Sequence, residues 1–166
     1  IAFTTGTGNS NAILVVGIGA DATTITGVDS VTWGTGAGCT GTPQSFIQQG
    51  TPLENGDSHT EIWYLVAPTE SASARNVCVD WGTGNGPGDW AFNVAMFENV
   101  DQTTPFSTTN TATGSTSPMT GTVAVGEIGY QVSALINQAT ADTGDTELLQ
   151  VSTGGQTKQT IFISFD

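Results

Sequence analysis

The stretch NAILVVGIG, Asn11–Gly19, decides the fold class. It is apolar at consecutive positions, too short for a membrane helix, and broken by glycines. A strand that is apolar on both faces has to be covered on both faces. This segment is therefore expected at the centre of a β-structure. Strand signals recur on either side of it every 10 to 15 residues. Downstream, Thr23–Trp33 (TTITGVDSVTW) reads as two short strands, or as one strand bent at Gly27. Pro43–Gln49 is a short strand, and an Asn-Gly turn signal sits in Glu54–Ser58 (ENGDS). Thr60–Ala67 (TEIWYLVA) is the strongest strand signal, stopped by Pro68. Asn76–Trp81 alternates, with Val77, Val79 and Trp81 on one face. Trp90–Val100 does the same with Trp90, Phe92, Val94 and Met96. Further strands are expected near Thr120–Val125, Ile128–Asn137, Glu147–Val151 and Thr157–Phe165, with Thr103–Met119 as an exposed crossover or edge strand.

About ten strands and no helical periodicity in 166 residues predict an all-β, two-sheet antiparallel sandwich, Ig-like or jelly-roll-like, with 1–166 as one domain. Val15, Ile62, Tyr64, Val79, Phe92, Val94 and Ile163 are the expected core.

Composition narrows the function classes. The chain has 2 Lys and Arg against 15 Asp and Glu, a net charge of −13. It lacks the cation cluster that a nucleic-acid binder or a polybasic membrane anchor requires. No run reaches the length of a membrane-spanning helix. Charged residues make up only 10%, replaced by 29 Thr, 12 Ser and 22 Gly. That balance points to an extracellular or cell-surface protein, whose exposed Thr and Ser are candidates for O-glycosylation. Ile1 at the start of the chain implies a removed leader or a fragment. Cys39 and Cys78 match no metal-binding pattern and are expected to form a disulfide between the Gly-rich turn after Trp33 and the Asn76–Trp81 strand.

Candidate chemistry is sparse. His59 is the single histidine and no G-x-S-x-G elbow accompanies it, so His59 reads as a turn residue and a nucleophilic triad is not expected. Glu61, Asp80, Glu98 and Asp101 could supply a glycosidase pair. Glu61 reads instead as a solvent-facing or edge residue, and Asp101 as a turn cap. Asp142, Asp145 and Glu147 (DTGDTE) are weak candidates for a structural calcium, as are Glu54 and Asp57. No other cofactor is expected. Trp63, Trp81 and Trp90 sit in apolar strands and are expected in the core, whereas Trp33, beside Gly34, is the candidate for an exposed ring that stacks against a sugar.

In segment order the chain resembles a β-sandwich module of bacterial and archaeal surface proteins and phage structural proteins. The residues that carry the resemblance are NAILVVGIG (11–19), SVTWG (30–34), HTEIWYLVAP (59–68), WAFNVAMFENVDQTTP (90–105) and QTIFISF (159–165). The resemblance implies a non-catalytic building block of long surface-attached chains. The expected function is a structural subunit of an extracellular filament, pilus-like fibre or surface layer, with copies of itself as partners. Ile1, Phe3 and Thr5 of a terminal strand would make the contact between subunits by strand addition. A carbohydrate-binding or adhesive module that takes surface glycans, and a phage capsid decoration protein, are the alternatives.

Overall fold

The computed structural model describes residues 1–21, 27–55, 58–83, 86–87, 89–114, 128–135 and 158–165. Twelve strands follow one another in these residues. They are β1 (Ala2–Phe3), β2 (Ile13–Asp21), β3 (Ser30–Thr35), β4 (Gly41–Ser45), β5 (Ile47–Gln48), β6 (Leu53–Asn55), β7 (Ser58–Val66), β8 (Arg75–Asp80), β9 (Asp89–Phe97), β10 (Phe106–Gly114), β11 (Ile128–Leu135) and β12 (Lys158–Phe165). A single 3-10 turn, Ala37–Cys39, lies between β3 and β4.

The sandwich is formed by two antiparallel sheets. One has the order β1-β8-β3-β4, the other β5-β7-β2-β9, with β6 also on β7. Leu14, Val16 and Ile18 of β2, Trp63 and Leu65 of β7, and Val31, Trp33 and Val77 from the opposite sheet fill the space between them. The intervening residues of β2, Ile13 and Val15, point the other way. They form a second core with Ile62, Val100 and Tyr130. A third antiparallel sheet, β10-β12-β11, borders that core. The central sheet is thus covered on both faces, which accounts for the unbroken apolar run of β2.

Phe46 marks where the chain changes sheets. Its N–H donates to Val31 O at 2.9 Å, while Ile47 already pairs with Tyr64. The expected strand Pro43–Gln49 is therefore divided between the two layers, because Phe46 buries its ring in the sandwich core. In the ENGDS segment Asn55 faces Ser58 across the hairpin. Within Thr103–Met119, residues 106–114 form β10, whose strand neighbour among the described residues is β12 alone. The strands expected at 120–125 and 147–151 lie outside the described residues. Of the expected core, Val15 and Ile62 are fully buried. Tyr64, Val79, Phe92 and Val94 are half-buried at its margins. Ile163 pairs with Thr109 and Tyr130 in β12, and its side chain lies outside the description.

Candidate functional site

Cys39 and Cys78 form a disulfide, with Cα atoms 6.1 Å apart. Cys78 faces Thr32 in the β3–β8 ladder, and Cys39 ends the 3-10 turn that follows β3. The Gly-rich composition of this turn has a steric cause. A Cβ on Gly34 would lie 2.8 Å from Cys39 O and 3.1 Å from Gly41 O. Only glycine lets the turn fold back close enough to reach β8.

Among the described residues, a dense polar cluster lies inside the sandwich. On β7 the side chains of His59, Glu61 and Trp63 share the face that looks into the core, since residues two apart in a strand point the same way. Glu61 is 1% exposed. Its Oε1 accepts from Val28 N–H at 2.8 Å and lies 2.5 Å from His59 Nε2. Its Oε2 accepts from Gln48 Nε2 at 2.9 Å and Trp63 Nε1 at 2.5 Å. A carboxylate has about four acceptor sites, and all four are taken. Because Oε1 of an ionised carboxylate can only accept, His59 Nε2 carries the hydrogen of that contact. Burial by itself raises the pKa of Glu61. The hydrogen bonds from His59, Val28 and Trp63, with the attraction of His59, outweigh burial and hold it below the ordinary glutamate value. Gly27, at φ +87°, makes the Val28 contact possible, since a Cβ there would come within 3.2 Å of Glu61 Oε1.

His59 itself is 1% exposed and packs edge-on against Trp81, ring centroids 5.9 Å apart. Its Nδ1 lies 3.3 Å from Oε1 of Glu54, a residue that is 59% exposed. The imidazole therefore sits between one interior and one surface carboxylate.

This arrangement corrects two expectations. His59 is an interior strand residue and not a turn residue, and Glu61 does not face solvent. Both follow from the double covering of the central sheet, which leaves β7 without a wet face at this point. A fully hydrogen-bonded, sealed carboxylate has no lone pair for a substrate proton, so Glu61 is built to hold structure. Asp80, Glu98 and Asp101 are exposed. Asp80 Oδ1 accepts from Gly82 N–H, and Asp101 Oδ1 caps its turn by accepting from Thr103 and Thr104 N–H at 2.6 and 2.8 Å.

Trp33, expected to be exposed, is completely buried. Its indole N–H donates to Thr69 O, Phe3 packs against its edge, and the Arg75 guanidinium lies 5.6 Å from its ring centroid. A ring enclosed in this way offers no stacking face, because the partner sheet covers the alternate positions of β3. The exposed indole is Trp90 instead, at 38%, stacked on Phe92 with centroids 5.6 Å apart. Trp63 and Trp81 are interior, as expected, but Trp90, expected with them in the core, is exposed, because it lies near the start of β9, whose strand neighbour among the described residues is β2 alone.

The calcium candidates Asp142, Asp145 and Glu147 lie outside the described residues, as does Asp57. Among the described residues no three His, Cys, Asp or Glu side chains gather as a metal site, and no helix is long and apolar enough to cross a membrane. The N-terminal segment pairs within its own chain. Ala2 faces Asn76 and Phe3 faces Arg75 at the edge of the first sheet. Ile1 and Val77 exchange N–H to carbonyl contacts at 3.0 and 2.8 Å. Thr5 is buried, its hydroxyl accepting from Ser71 N–H.

Comparison of the chain with protein-family models, with curated proteins and with solved structures finds no match.

Proposed function

We propose that the protein is a non-enzymatic structural subunit of an extracellular filament, pilus-like fibre or surface layer, joined to its neighbours by exchange of the N-terminal strand. The observation that carries this reading is how β1 is held. It is an edge strand of two residues, attached to β8 by a short ladder and to the core by the Phe3–Trp33 contact. Two glycines with positive φ, Gly6 at +76° and Gly8 at +84°, follow it and permit a change of chain direction. The same contacts would be made if β1 came from a neighbouring copy, and a head-to-tail exchange of this kind grows without closing. The Cys39–Cys78 disulfide staples the receiving strand β8 to the rest of its sheet, and suits an oxidising, extracellular setting.

A second reading, an adhesive or carbohydrate-binding module, is favoured by Trp90, whose exposed ring stacked on Phe92 is the kind of platform a saccharide ring uses. Electron microscopy of the purified chain and of a variant lacking residues 1–5 tests the first reading. Fibres from the full chain, and a cooperatively folding variant that forms none, are the expected results. Fibres that persist after the deletion, or a full chain that forms no fibres, overturn it. Binding on a glycan array that is lost in Trp90→Ala would then support the second.

A further inference from the structure

The edges of the two packed sheets are not equally protected. In the first sheet β4 carries Pro43, which has no N–H to offer, and β1 is two residues long. In the second, β5 is also two residues long. At its other edge lies β9, nine residues long, and among the described residues its strand neighbour is β2 alone. Natural edges are blunted with Lys, Pro or bulges. β9 contains no Lys, Arg or Pro, and its register with β2 runs without a break from Ile13↔Phe97 to Asp21↔Asp89. Residues 91–97 are all half-buried, and Trp90 is exposed.

The order of residues in β9 indicates what pairs with it. The stretch WAFNVAM (90–96) is close to a palindrome about Asn93: Ala91 mirrors Ala95, Phe92 mirrors Val94, and Trp90 mirrors Met96. We propose that β9 pairs antiparallel with β9 of a second copy about a two-fold axis at Asn93, joining two β5-β7-β2-β9 sheets into one. In that register each small residue faces a small one, and each large apolar residue faces a large one. Trp90 meets Met96, a favourable sulfur–aromatic pair. Asp89 falls opposite Phe97, so no carboxylate of β9 faces another, which matters in a chain with a net charge of −13. A two-fold contact closes on itself and gives a dimer. It is therefore distinct from the β1 exchange proposed for the fibre, and neither depends on the other.

Directly opposed residues in an antiparallel pair have Cα atoms about 4.5–5.5 Å apart, within disulfide reach. Asn93→Cys is therefore expected to give a covalent dimer under mild oxidation. Ala91→Cys alone is not, because its copy would lie four residues along the strand, about 13 Å away. The double variant Ala91→Cys/Ala95→Cys cross-links again and leaves Asn93, which holds the Tyr130 hydroxyl, untouched. Light scattering is expected to show a dimer both for the variant lacking residues 1–5 and for that variant's Asn93→Cys form without oxidant. A monomer in the first measurement overturns the proposal. So does cross-linking of Ala91→Cys as efficient as that of Asn93→Cys and of the double variant.

Discussion

His59 Nε2 and Glu61 Oε1 lie 2.5 Å apart, two residues along one strand, at the heart of the sandwich. The pair ties three elements together through one carboxylate: β7 itself, Gln48 of β5, and the segment at Val28 that leads into β3. Replacing Glu61 with Gln keeps the shape and removes the charge. It also turns one acceptor oxygen into an NH2 that points at two donors. Leaving such buried donors unmatched costs about 3 kcal/mol. The urea midpoint of Glu61→Gln should fall accordingly at pH 7. An unchanged midpoint would show that the cluster contributes nothing to stability.

The same carboxylate sets an acid dependence. Its folded pKa is depressed, so as pH falls the unfolded chain takes up the proton first. The stabilisation is complete above the unfolded value of about 4.3 and is lost as pH drops through the lower, folded value. The gap in midpoint between the native chain and Glu61→Gln should therefore be widest near neutrality and narrow steadily below about pH 4. A gap that stays constant down to pH 2 would contradict an ionised Glu61.

The Cys39–Cys78 bridge closes a loop with a sequence separation of 39. On the chain-entropy model a loop of that size adds about 4 kcal/mol. Reduction should lower the denaturant midpoint to match and make the transition somewhat steeper, because the unfolded chain without the cross-link exposes more surface. Intact mass after alkylation should show two labels only when a reductant has been added.

Much of this architecture can be read from residue order, and the parts that cannot have a common cause. β2 announces a central strand because Ile13, Leu14, Val15 and Val16 leave no polar face. The alternation of Val77, Val79 and Trp81 likewise assigns the inward face of β8. What such patterns lack is the identity of the covering layer. Trp33 sits beside a Gly-rich turn, a local sign of exposure, yet β1 and Arg75 of β8 close over it from far along the chain. His59 and Glu61 look like polar residues of a wet strand end. The available clue was that they share a face with Trp63 and Leu65, while Thr60, Ile62 and Tyr64 occupy the other. A strand apolar on both faces places its charged residue indoors, and the donors for it come from Val28 and Gln48, which no local pattern connects to Glu61.

Tyr130 provides a spectroscopic reading of the second core. It is buried, and its hydroxyl donates to Asn93, the cross-strand partner of Gly17. Burial drives its ionisation well above the ordinary tyrosine range. The difference between alkaline absorbance titrations of the native chain and of Tyr130→Phe should therefore be flat up to about pH 11, beyond the ordinary value near 10. A phenolate step near pH 10 in that difference would place Tyr130 in solvent. The Tyr130→Phe substitution itself should cost about 1 kcal/mol, the net worth of one hydrogen bond.

The two faces of the central sheet also predict unequal responses to truncation. Ile62 is completely buried in the second core, against Ile13, Val15 and Tyr130, whereas Phe92 lies half-buried on β9, whose strand neighbour among the described residues is β2 alone. Ile62→Ala removes atoms that are surrounded on all sides, and the cavity it leaves between two sheets cannot collapse without moving both. Its cost should lie at about 3–4 kcal/mol. Phe92 is the larger side chain, and full burial would make Phe92→Ala worth about 3–5 kcal/mol. With the ring already partly wetted in a single copy, about half of that is expected in melts at a protein concentration low enough to keep the chain monomeric, roughly 2 kcal/mol. Denaturant melts of the two variants at one pH decide the order. A Phe92→Ala loss larger than that of Ile62→Ala would mean that β9 is enclosed in solution by something beyond its own chain's described strands, and light scattering on the same samples would show whether that cover is a second copy.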